Sequence, residues 1–241
     1  MKKISFMTAA LILGAFFLTS ADGAEPNRLR INCTLHSPYE IFFFRLVEEV
    51  CSRNHITVER HTPPVGRSLI RVDQCIDDGD GPRILGLETT YPNLVRVPEP
   101  FGDFVFGAFA KSGDIAVEGW SSLESLNVAY IHGWKIFDAQ VTAAKSITKV
   151  RNKDLLFGLL EAGRTDVALI TRLAGYAEIQ RLGLTGIRFI EPPLAVEPNF
   201  LYLCKKHREL APRLARTLRD LKRDGTYRRI YGEIISPYLS D

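Results

Sequence analysis

Apolar residues recur along the first third of the chain with two different periods, and these periods predict strands and helices in turn. Residues 29–35 alternate between apolar and polar, which predicts a strand. Apolar residues at helical spacing after Ser37 predict a helix over 39–53. A strand over 56–60 and a helix over 67–76 follow in the same way. This alternation predicts an α/β lobe with a mainly parallel sheet.

The remainder of the chain repeats the alternation. The segment at about 111–195 has its own apolar elements and could form its own core. The acidic and glycine-rich stretch 77–81 is expected to be a turn that ends the second helix, because it fails the spacing of an EF-hand loop. The further predicted strands are 104–110, 126–131, 166–170, 187–190 and 200–203, and the further predicted helices are 153–161, 175–182, 208–223 and 227–234.

The N-terminus has the three parts of a secretory signal peptide. Lys2 and Lys3 precede an apolar run over 4–18, and small residues follow up to Ala24. The apolar run is shorter than the roughly 20 residues that a bilayer span requires. We therefore predict a signal peptide over 1–23 and a mature chain in the periplasm, with an uncleaved membrane anchor as the alternative.

Charge and cysteine content narrow the function only slightly. The formal net charge is +3. A basic run in the last third belongs to a predicted helix and is typical of a solvated helix face, so we expect no nucleic-acid partner, and we expect a monomer. The four cysteines, Cys33, Cys51, Cys75 and Cys204, allow three disulfide connectivities, and buried free thiols are an equal alternative.

Motifs of the common enzyme classes are absent from the sequence. There is no Gly-x-Ser-x-Gly, P-loop, Gly-x-Gly-x-x-Gly after a strand, or His-Glu-x-x-His. The five histidines and four cysteines have no metal-ligand spacing. We therefore predict no catalytic residues, no metal and no cofactor.

Three segments carry a resemblance to a known family. Residues 150–170 run from a helix through Gly163-Arg164-Thr165-Asp166 into an apolar strand, and residues 218–231 place Asp224-Gly225 between two amphipathic pieces. Residues 126–133 are a strand followed by a glycine turn. In order and spacing these segments resemble the family 3 extracellular solute-binding proteins, which are the polar amino-acid-binding components of ABC importers. The stretch around 79–100 is similar to an uncharacterised branch of that family.

The resemblance implies the periplasmic binding protein type 2 fold, which consists of two α/β lobes joined by two crossover strands. Lobe 1 would comprise 24–107 and 201–241, and lobe 2 would comprise 108–200. The crossover strands would lie at about 105–110 and 198–203. A small-molecule ligand would lie between the lobes, which would close over it by hinge motion.

The family's usual clamp on an amino acid is missing at the aligned positions. The arginine that binds the α-carboxylate aligns with Tyr91, and the aspartate that binds the α-ammonium aligns with Thr171, which Arg172 follows. A buried ammonium without a carboxylate partner is costly. The resemblance therefore does not favour an ordinary α-amino acid as ligand.

Other polar residues are candidates to replace the clamp. Arg67 and Ser68 open a predicted helix, and Arg83 lies near the predicted cleft end of the first lobe. Guanidinium groups bind carboxylates and phosphates with two hydrogen bonds, so Arg67, Arg83 and Arg172 suggest an anionic ligand. The alternative is that these arginines lie on the surface or pair with Asp78, Asp80 and Glu88.

Aromatic residues and one helix start complete the predicted site. Tyr39 follows the first strand, where the resembled family commonly places an aromatic ring over the ligand, so the resemblance makes Tyr39 a candidate wall for stacking. His132, Gly133 and Trp134 follow the strand that opens the second lobe, where amides at a helix start could receive an anion. Phe104 could line the hinge. The alternative for Trp134 and Phe104 is a role in the core.

Three functions remain open at this point. The first is a binding component that delivers solute to an ABC permease. The second is a periplasmic enzyme of the same fold, as in a cyclohexadienyl dehydratase, for which Glu88 and Glu99 are the candidate acids. The third is a soluble sensor that presents its closed form to a membrane receptor.

Overall fold

The computed structural model describes residues 27–64, 66–111 and 115–239. The predicted signal peptide at 1–23 lies outside these residues. The first part of the chain builds three parallel strands in the order β2-β1-β3 and two helices, and a short strand follows. The elements are β1 Arg28–Asn32, α1 Pro38–Ser52, β2 Thr57–His61, α2 Ser68–Asp73, β3 Gly79–Ile84 and β4 Leu94–Arg96.

The rest of the chain forms a second group of strands and then returns to the first. The elements are β5 Gly102–Ala110, β6 Asn127–Ile131, α3 Lys135–Gln140, β7 Ser146–Val150, α4 Lys153–Glu161, β8 Val167–Thr171, α5 Arg172–Leu182, β9 Arg188–Phe189, β10 Ala195–Cys204, α6 Leu210–Arg223 and α7 Thr226–Ile234. One sheet runs through the molecule in the order β2-β1-β3-β10-β5-β8-β6-β7, with β4 paired to β10 and β9 to β5.

Two long antiparallel strands join the two parts of this sheet. β5 and β10 pair from Gly102 opposite Asn199 to Phe106 opposite Ala195. The predicted crossover strands are therefore present. Their pairing with each other covers 102–106 and 195–199, and each of these ranges begins three residues before the predicted one. We call β1–β4, α1, α2, α6, α7 and the end of β10 the first lobe. We call β6–β9, α3–α5 and the end of β5 the second lobe.

Each lobe has its own apolar core. In the first lobe, α1, α6 and α7 cover one sheet face, with Phe42, Phe43 and Leu218 buried among them. A smaller cluster under α2 includes Val72 and Tyr202. In the second lobe, two clusters form, one with Phe106 and Phe137 and the other with Phe109 and Phe157. The members of these clusters come from segments far apart in sequence, so folding of each lobe depends on long-range packing.

The start of α1 shows how local sequence sets an element boundary. The hydroxyl of Ser37 accepts a hydrogen bond from the Glu40 amide at 3.3 Å, and the Glu40 carboxylate accepts one from the Ser37 amide at 3.1 Å. Together these two bonds form a capping box, and Pro38 occupies the first turn, where its missing N–H costs nothing.

Several predicted boundaries are corrected by the structure. The strand predicted over 29–35 ends at Asn32, because the chain then leaves the sheet to reach the cap at Ser37. The turn predicted over 77–81 overlaps the start of β3. This strand has few apolar residues, and it belongs to the sheet because it pairs with β1 and β10. The helix predicted over 67–76 ends at Asp73, and the helix predicted over 175–182 begins at Arg172.

Two cysteines form a disulfide within the first lobe. Cys75, just after α2, is bonded to Cys204 at the end of β10, with their Cα atoms 5.3 Å apart. Cys33 and Cys51 are buried free thiols. The sequence left open whether the cysteines form disulfides or stay as buried free thiols. Both occur in this chain, as one disulfide and two free thiols.

Within the described ranges, no helix has the length and apolar character needed to span a membrane.

Candidate functional site

Polar side chains meet at the carboxyl ends of the strands of the first lobe. Asn32, the last residue of β1, stands opposite Asp80 of β3. The Arg83 guanidinium donates from Nε to Asp80 Oδ1 at 2.5 Å and from Nη2 to Ser68 Oγ at 3.0 Å. Asn32 donates to the Ser68 carbonyl oxygen at 3.2 Å. The structure thus brings the predicted residues Ser68 and Arg83 together around Asp80.

A second carboxylate lies beneath this network. Asp77 is buried and accepts hydrogen bonds from Arg71 Nε at 2.6 Å and Nη2 at 3.0 Å. Burial alone would raise the pKa of Asp77, but hydrogen bonds from Arg71, Asn32 and His61 outweigh it and hold the pKa below its usual value. The carboxylate therefore stays ionised and holds the start of β3 against α2.

Two further predicted residues of the first lobe, Arg67 and Tyr91, have no side-chain hydrogen bond to this network among the described residues. Arg67 caps α2 and is exposed, and its side chain has no hydrogen bond or ion pair to another described residue. Tyr91 packs against the cluster under α2, beside Leu94 and Tyr202. Among the described residues, no hydrogen bond links the Tyr91 side chain to Arg83, and its role in ligand contact stays a prediction.

A row of aromatic rings leads from the first lobe to the second. The ring centroids of Tyr39 and Phe104 are 5.1 Å apart, those of Phe104 and Phe106 are 6.0 Å apart, and those of Phe106 and Trp134 are 6.2 Å apart. Trp134 in turn stacks on Phe137. The predicted residues Tyr39, Phe104 and Trp134 therefore belong to one continuous apolar surface along the strand that joins the lobes.

The Tyr39 hydroxyl is tied to the crossing of β5 and β10. Asn199 Nδ2 donates to Tyr39 Oη at 2.5 Å and to the Gly102 carbonyl oxygen at 2.8 Å. A Cβ atom on Gly102 would stand 2.5 Å from Tyr39 Oη, so only glycine permits this close approach. Burial raises the pKa of Tyr39 well above its usual range, and the hydroxyl stays neutral. The Tyr39 ring packs against Phe104, and the Tyr39 hydroxyl is hydrogen-bonded at the crossing of β5 and β10, where the two lobes join.

The predicted residues of the second lobe lie at the ends of β6 and β8. His132 is exposed, and Gly133 adopts φ +88°, a left-handed conformation that glycine allows without strain. The helix that follows, α3, has only six residues and begins at Lys135. The helix therefore starts one residue after Trp134, which is its N-cap. A helix of this length has only a small dipole with which to attract an anion.

Thr171 and Arg172 mark the change from β8 to α5. Thr171 pairs with Phe106 of β5 and precedes the first helical residue. Arg172 forms an ion pair with Glu191 at 2.5 Å, and its guanidinium lies 4.4 Å from the centroid of the Phe189 ring. The positive charge of Arg172 is thus compensated within its own lobe.

The lobes contact each other directly through the start of α4 and through α5, which packs against α1 and against residues 236–238. Lys153, at the start of α4, donates to the His36 carbonyl oxygen at 3.4 Å. Leu173 of α5 packs against the apolar core of the first lobe. Neither residue is part of the predicted site. The sequence signal that could have identified Lys153 was its position directly after Asn152, the N-cap at the exposed start of α4.

Comparison with known proteins identifies the architecture. No family model matches the chain, and no curated protein matches its sequence. The amino acid ABC transporter substrate-binding protein AbpA from Streptococcus pneumoniae Canada MDR_19A, bound to L-arginine, is similar in structure, with a TM-score of 0.70 at 12% identity, covering 89% of this chain and 97% of AbpA. A histidine kinase sensor domain with similarity to periplasmic binding proteins has a TM-score of 0.71 at 16% identity, covering 87% of this chain and 96% of that domain.

The chain has the fold of the two-lobed periplasmic binding proteins. The fold class predicted from the sequence is confirmed. The ancestral amino acid-binding protein AncCDT-1, a precursor of cyclohexadienyl dehydratase, is also similar, with a TM-score of 0.67 at 16% identity over 87% of this chain and 96% of that one. At these identities the likeness shows a shared fold. A shared fold does not determine which ligand is bound, so the binding chemistry depends on the residues of this chain.

Two acidic residues considered for catalysis are engaged in ion pairs. Glu88 accepts from Arg96 at 3.3 Å and from the Tyr202 hydroxyl at 3.3 Å. Glu99 accepts from Lys222 at 2.5 Å. Both carboxylates are therefore already engaged by cationic side chains of the first lobe. Within the described ranges, no group of three or more His, Cys, Asp or Glu side chains could hold a metal ion.

Proposed function

We propose that this chain is a periplasmic solute-binding protein that encloses a small polar solute between its two lobes and delivers it to an ABC permease. The observation that supports this most directly is the meeting of strand ends. In open α/β sheets, ligands bind outside the carboxyl ends of strands. Here a polar network lies at those ends in the first lobe, and an aromatic row runs from the first lobe into the second.

The hinge geometry supports closure over a ligand. Only β5 and β10 carry the sheet from one lobe to the other within the described residues. A solute that contacts both lobes favours the closed arrangement by its differential affinity for it. We place the lobe boundaries, as proposed from the sequence, at 107/108 and 200/201, with a signal peptide at 1–23 and the mature protein acting as a monomer.

The three arginines that suggested an anionic solute differ in whether their charge is already paired. Arg83 and Arg172, two of the three arginines that suggest an anion, already pair with Asp80 and Glu191. Arg67 supports an anionic group, because its charge is not compensated by any described residue. We therefore propose a polar solute, with an anionic group as a narrower hypothesis that rests on Arg67.

A thermal-shift screen of the mature protein tests the proposed function. The panel contains carboxylates, phosphates, amino acids, amides and amines. A ligand present at 100 times its dissociation constant stabilises the folded state by about 2.7 kcal/mol, which is a readily measured rise in melting temperature. In the variant Phe104→Ala the shift should shrink, while the exposed variant Leu155→Ala should keep it. The absence of any shift across the panel would contradict a small-solute receptor.

A sensor for a membrane receptor is the second candidate, because the histidine kinase sensor domain shares the fold at the highest TM-score quoted above. Both functions require the same closure. Co-purification of the closed, ligand-bound form with an ABC permease supports delivery, whereas co-purification with a receptor kinase supports sensing.

A further inference from the structure

A cavity of about 320 Å³ lies where the second half of α5 meets the residues that follow α7. Tyr176, Ile179 and Leu184 of the second lobe line it, together with Pro237 and Tyr238. The last two belong with the first lobe, because Tyr238 packs against the apolar core of that lobe. The walls of the cavity therefore come from both lobes, and its volume is at the lower end of the range for small-molecule sites.

The end of α5 shapes the wall on the side of the second lobe. Gly183 adopts φ +64°, and this left-handed conformation ends the helix. The chain then turns back, and the Leu184 amide donates to the Ile179 carbonyl oxygen at 3.0 Å. This bond holds Leu184 beside the last turn of α5, where it adds a second aliphatic side chain to the cavity wall.

The cavity is separate from the strand ends of the proposed solute site. α5 begins at Arg172, directly after β8. Each residue of a helix adds about 1.5 Å along its axis, so Gly183 lies roughly 16 Å from Arg172. Within the described part of the chain, none of the residues predicted for the solute site lines the cavity. A ligand bound here would therefore occupy a second site.

The polar groups that line the cavity are all uncharged. They are the hydroxyls of Tyr176, Thr185 and Tyr238 and the side-chain amide of Gln180. None of these four groups forms a hydrogen bond with another described residue, so all four remain available to a ligand. No charged side chain of the described ranges lines the cavity. A charged ligand would lose hydration here without meeting an opposite charge, which is costly.

The apolar part of the lining favours a ring. Ile179, Leu184 and Pro237 supply aliphatic surface, and Tyr176 and Tyr238 supply two aromatic rings. An aromatic ligand buries a large apolar area and packs well against other rings in edge-to-face or offset arrangements.

We propose that this cavity is a second binding site, which takes an uncharged aromatic molecule that bears hydroxyl groups. The ring packs against the apolar lining, and the hydroxyls exchange hydrogen bonds with the free phenol, hydroxyl and amide groups. Because residues of both lobes form the walls, the bound molecule contacts both lobes. This site is independent of the solute that the strand ends bind.

Three matched probes test the site. They are 4-hydroxybenzyl alcohol, 4-hydroxybenzoate and 4-hydroxybenzylamine, which share one ring and are neutral, anionic and cationic, measured by calorimetry at neutral pH on the mature protein. The alcohol should bind at least tenfold more tightly than the acid or the amine. Tyr238→Ala should weaken binding of the alcohol at least tenfold, and Gln180→Ala at least threefold. Leu155→Ala, at an exposed position of the second lobe outside the cavity, should keep the wild-type affinity.

The variant Phe104→Ala separates this site from the solute site. It should keep the affinity for the alcohol, because Phe104 does not line the cavity. Loss of affinity in Phe104→Ala, with none in the two cavity variants, would place the alcohol at the solute site and overturn the proposal. No binding of the alcohol at millimolar concentration, equal or tighter binding of the acid or the amine, or unchanged affinity in both cavity variants would overturn it as well.

The test survives a folding defect in one variant. Gln180 is exposed, so Gln180→Ala decides the proposal if Tyr238→Ala does not fold. Failure of the second site leaves the proposed function standing, since the thermal-shift screen and Phe104→Ala report on the solute site separately.

Discussion

Both lobes contain aromatic packing and ion pairs, but among the described residues they differ in the disulfide and in the number of buried carboxylates. The first lobe has a disulfide and a set of buried or half-buried carboxylates paired with arginine, lysine and histidine. The second lobe is held by aromatic packing, in which Phe137 contacts Phe106, Trp120, Tyr130 and Trp134. No disulfide occurs among its described residues.

This difference bears on how a ligand would be bound. At the strand ends of the first lobe, Asn32, Ser68 and Arg83 are already oriented by hydrogen bonds to each other or to Asp80. In the second lobe, His132 is exposed and Arg172 is turned to its own lobe. A pre-organised first lobe loses little entropy on binding. We therefore expect the first lobe to bind first and the second lobe to add its contacts on closure.

Removal of the disulfide should have the largest effect on stability. Cys75 and Cys204 are 129 residues apart, so the bridge closes a loop that contains the entire second lobe. In the chain-entropy model, loss of a cross-link over a loop this long costs about 4 to 5 kcal/mol. The double variant Cys75→Ser/Cys204→Ser should lose this amount in urea unfolding, and the reduced wild type should match it. Four titratable thiols in the unreduced, denatured wild type would contradict the bridge.

Truncation of the central aromatic residue of the second lobe should be the next largest perturbation. Phe137 is fully buried among four aromatic rings, so Phe137→Ala leaves a cavity and should cost about 3 to 4 kcal/mol in urea unfolding. Leu155→Ala, at an exposed position of the same lobe, should cost less than about 0.5 kcal/mol. A cost below about 1 kcal/mol for Phe137→Ala would show that aromatic packing does not hold this lobe.

Acid should act on the first lobe through Asp78. Burial alone would raise the pKa of Asp78, but hydrogen bonds from His207, the Arg30 amide and Lys206 hold it well below its usual value. Because the folded-state pKa is depressed, this carboxylate stabilises the fold above the unfolded pKa of about 3.9, and the contribution is lost as pH falls below that value.

The variant Asp78→Asn isolates this contribution. Between pH 6 and pH 3, the free energy of unfolding should fall by about 1 to 2 kcal/mol more in the wild type than in Asp78→Asn. Asp220→Asn, at an exposed residue 3.6 Å from Arg223, should keep the wild-type pH dependence. Equal acid sensitivity in the wild type and Asp78→Asn would assign the effect to other carboxylates.

The contact of Lys153 with the first lobe should contribute least to stability. Lys153 is half-exposed and reaches the His36 carbonyl at 3.4 Å, so Lys153→Ala should change the free energy of unfolding by less than about 0.5 kcal/mol. Its effect should appear in lobe closure, as a larger radius of gyration by small-angle scattering. Lys145→Ala, exposed on the same lobe, serves as the control. An unchanged radius in Lys153→Ala would remove this residue from the closure contact.

Part of the candidate site was accessible from the sequence. Tyr39 was predicted from the family resemblance, Trp134 from its place after a strand and Phe104 from its place in a strand near the hinge. The structure lines them up in one row with Phe106. Asp80 was considered only as a partner for an arginine, and Asn199 was not considered. The sequence signal for Asn199 was a polar residue within an apolar strand. Only the fold shows that Asn199 forms a hydrogen bond with Tyr39, which lies 160 positions earlier in the sequence.

Local pattern by itself determined most of the helices and strands, the α/β class and the cap of α1, because these depend on periodicity and on contacts between near neighbours. The two-lobed arrangement was expected from the family resemblance. Tertiary structure decided the rest. β3 is a strand because β1 and β10 pair with it, although its own residues read as a turn. The cysteine pairing and the Asp80–Arg83–Ser68 network join segments that are brought together only by the packed sheet, and a one-dimensional pattern contains no information on which distant polar groups will become neighbours.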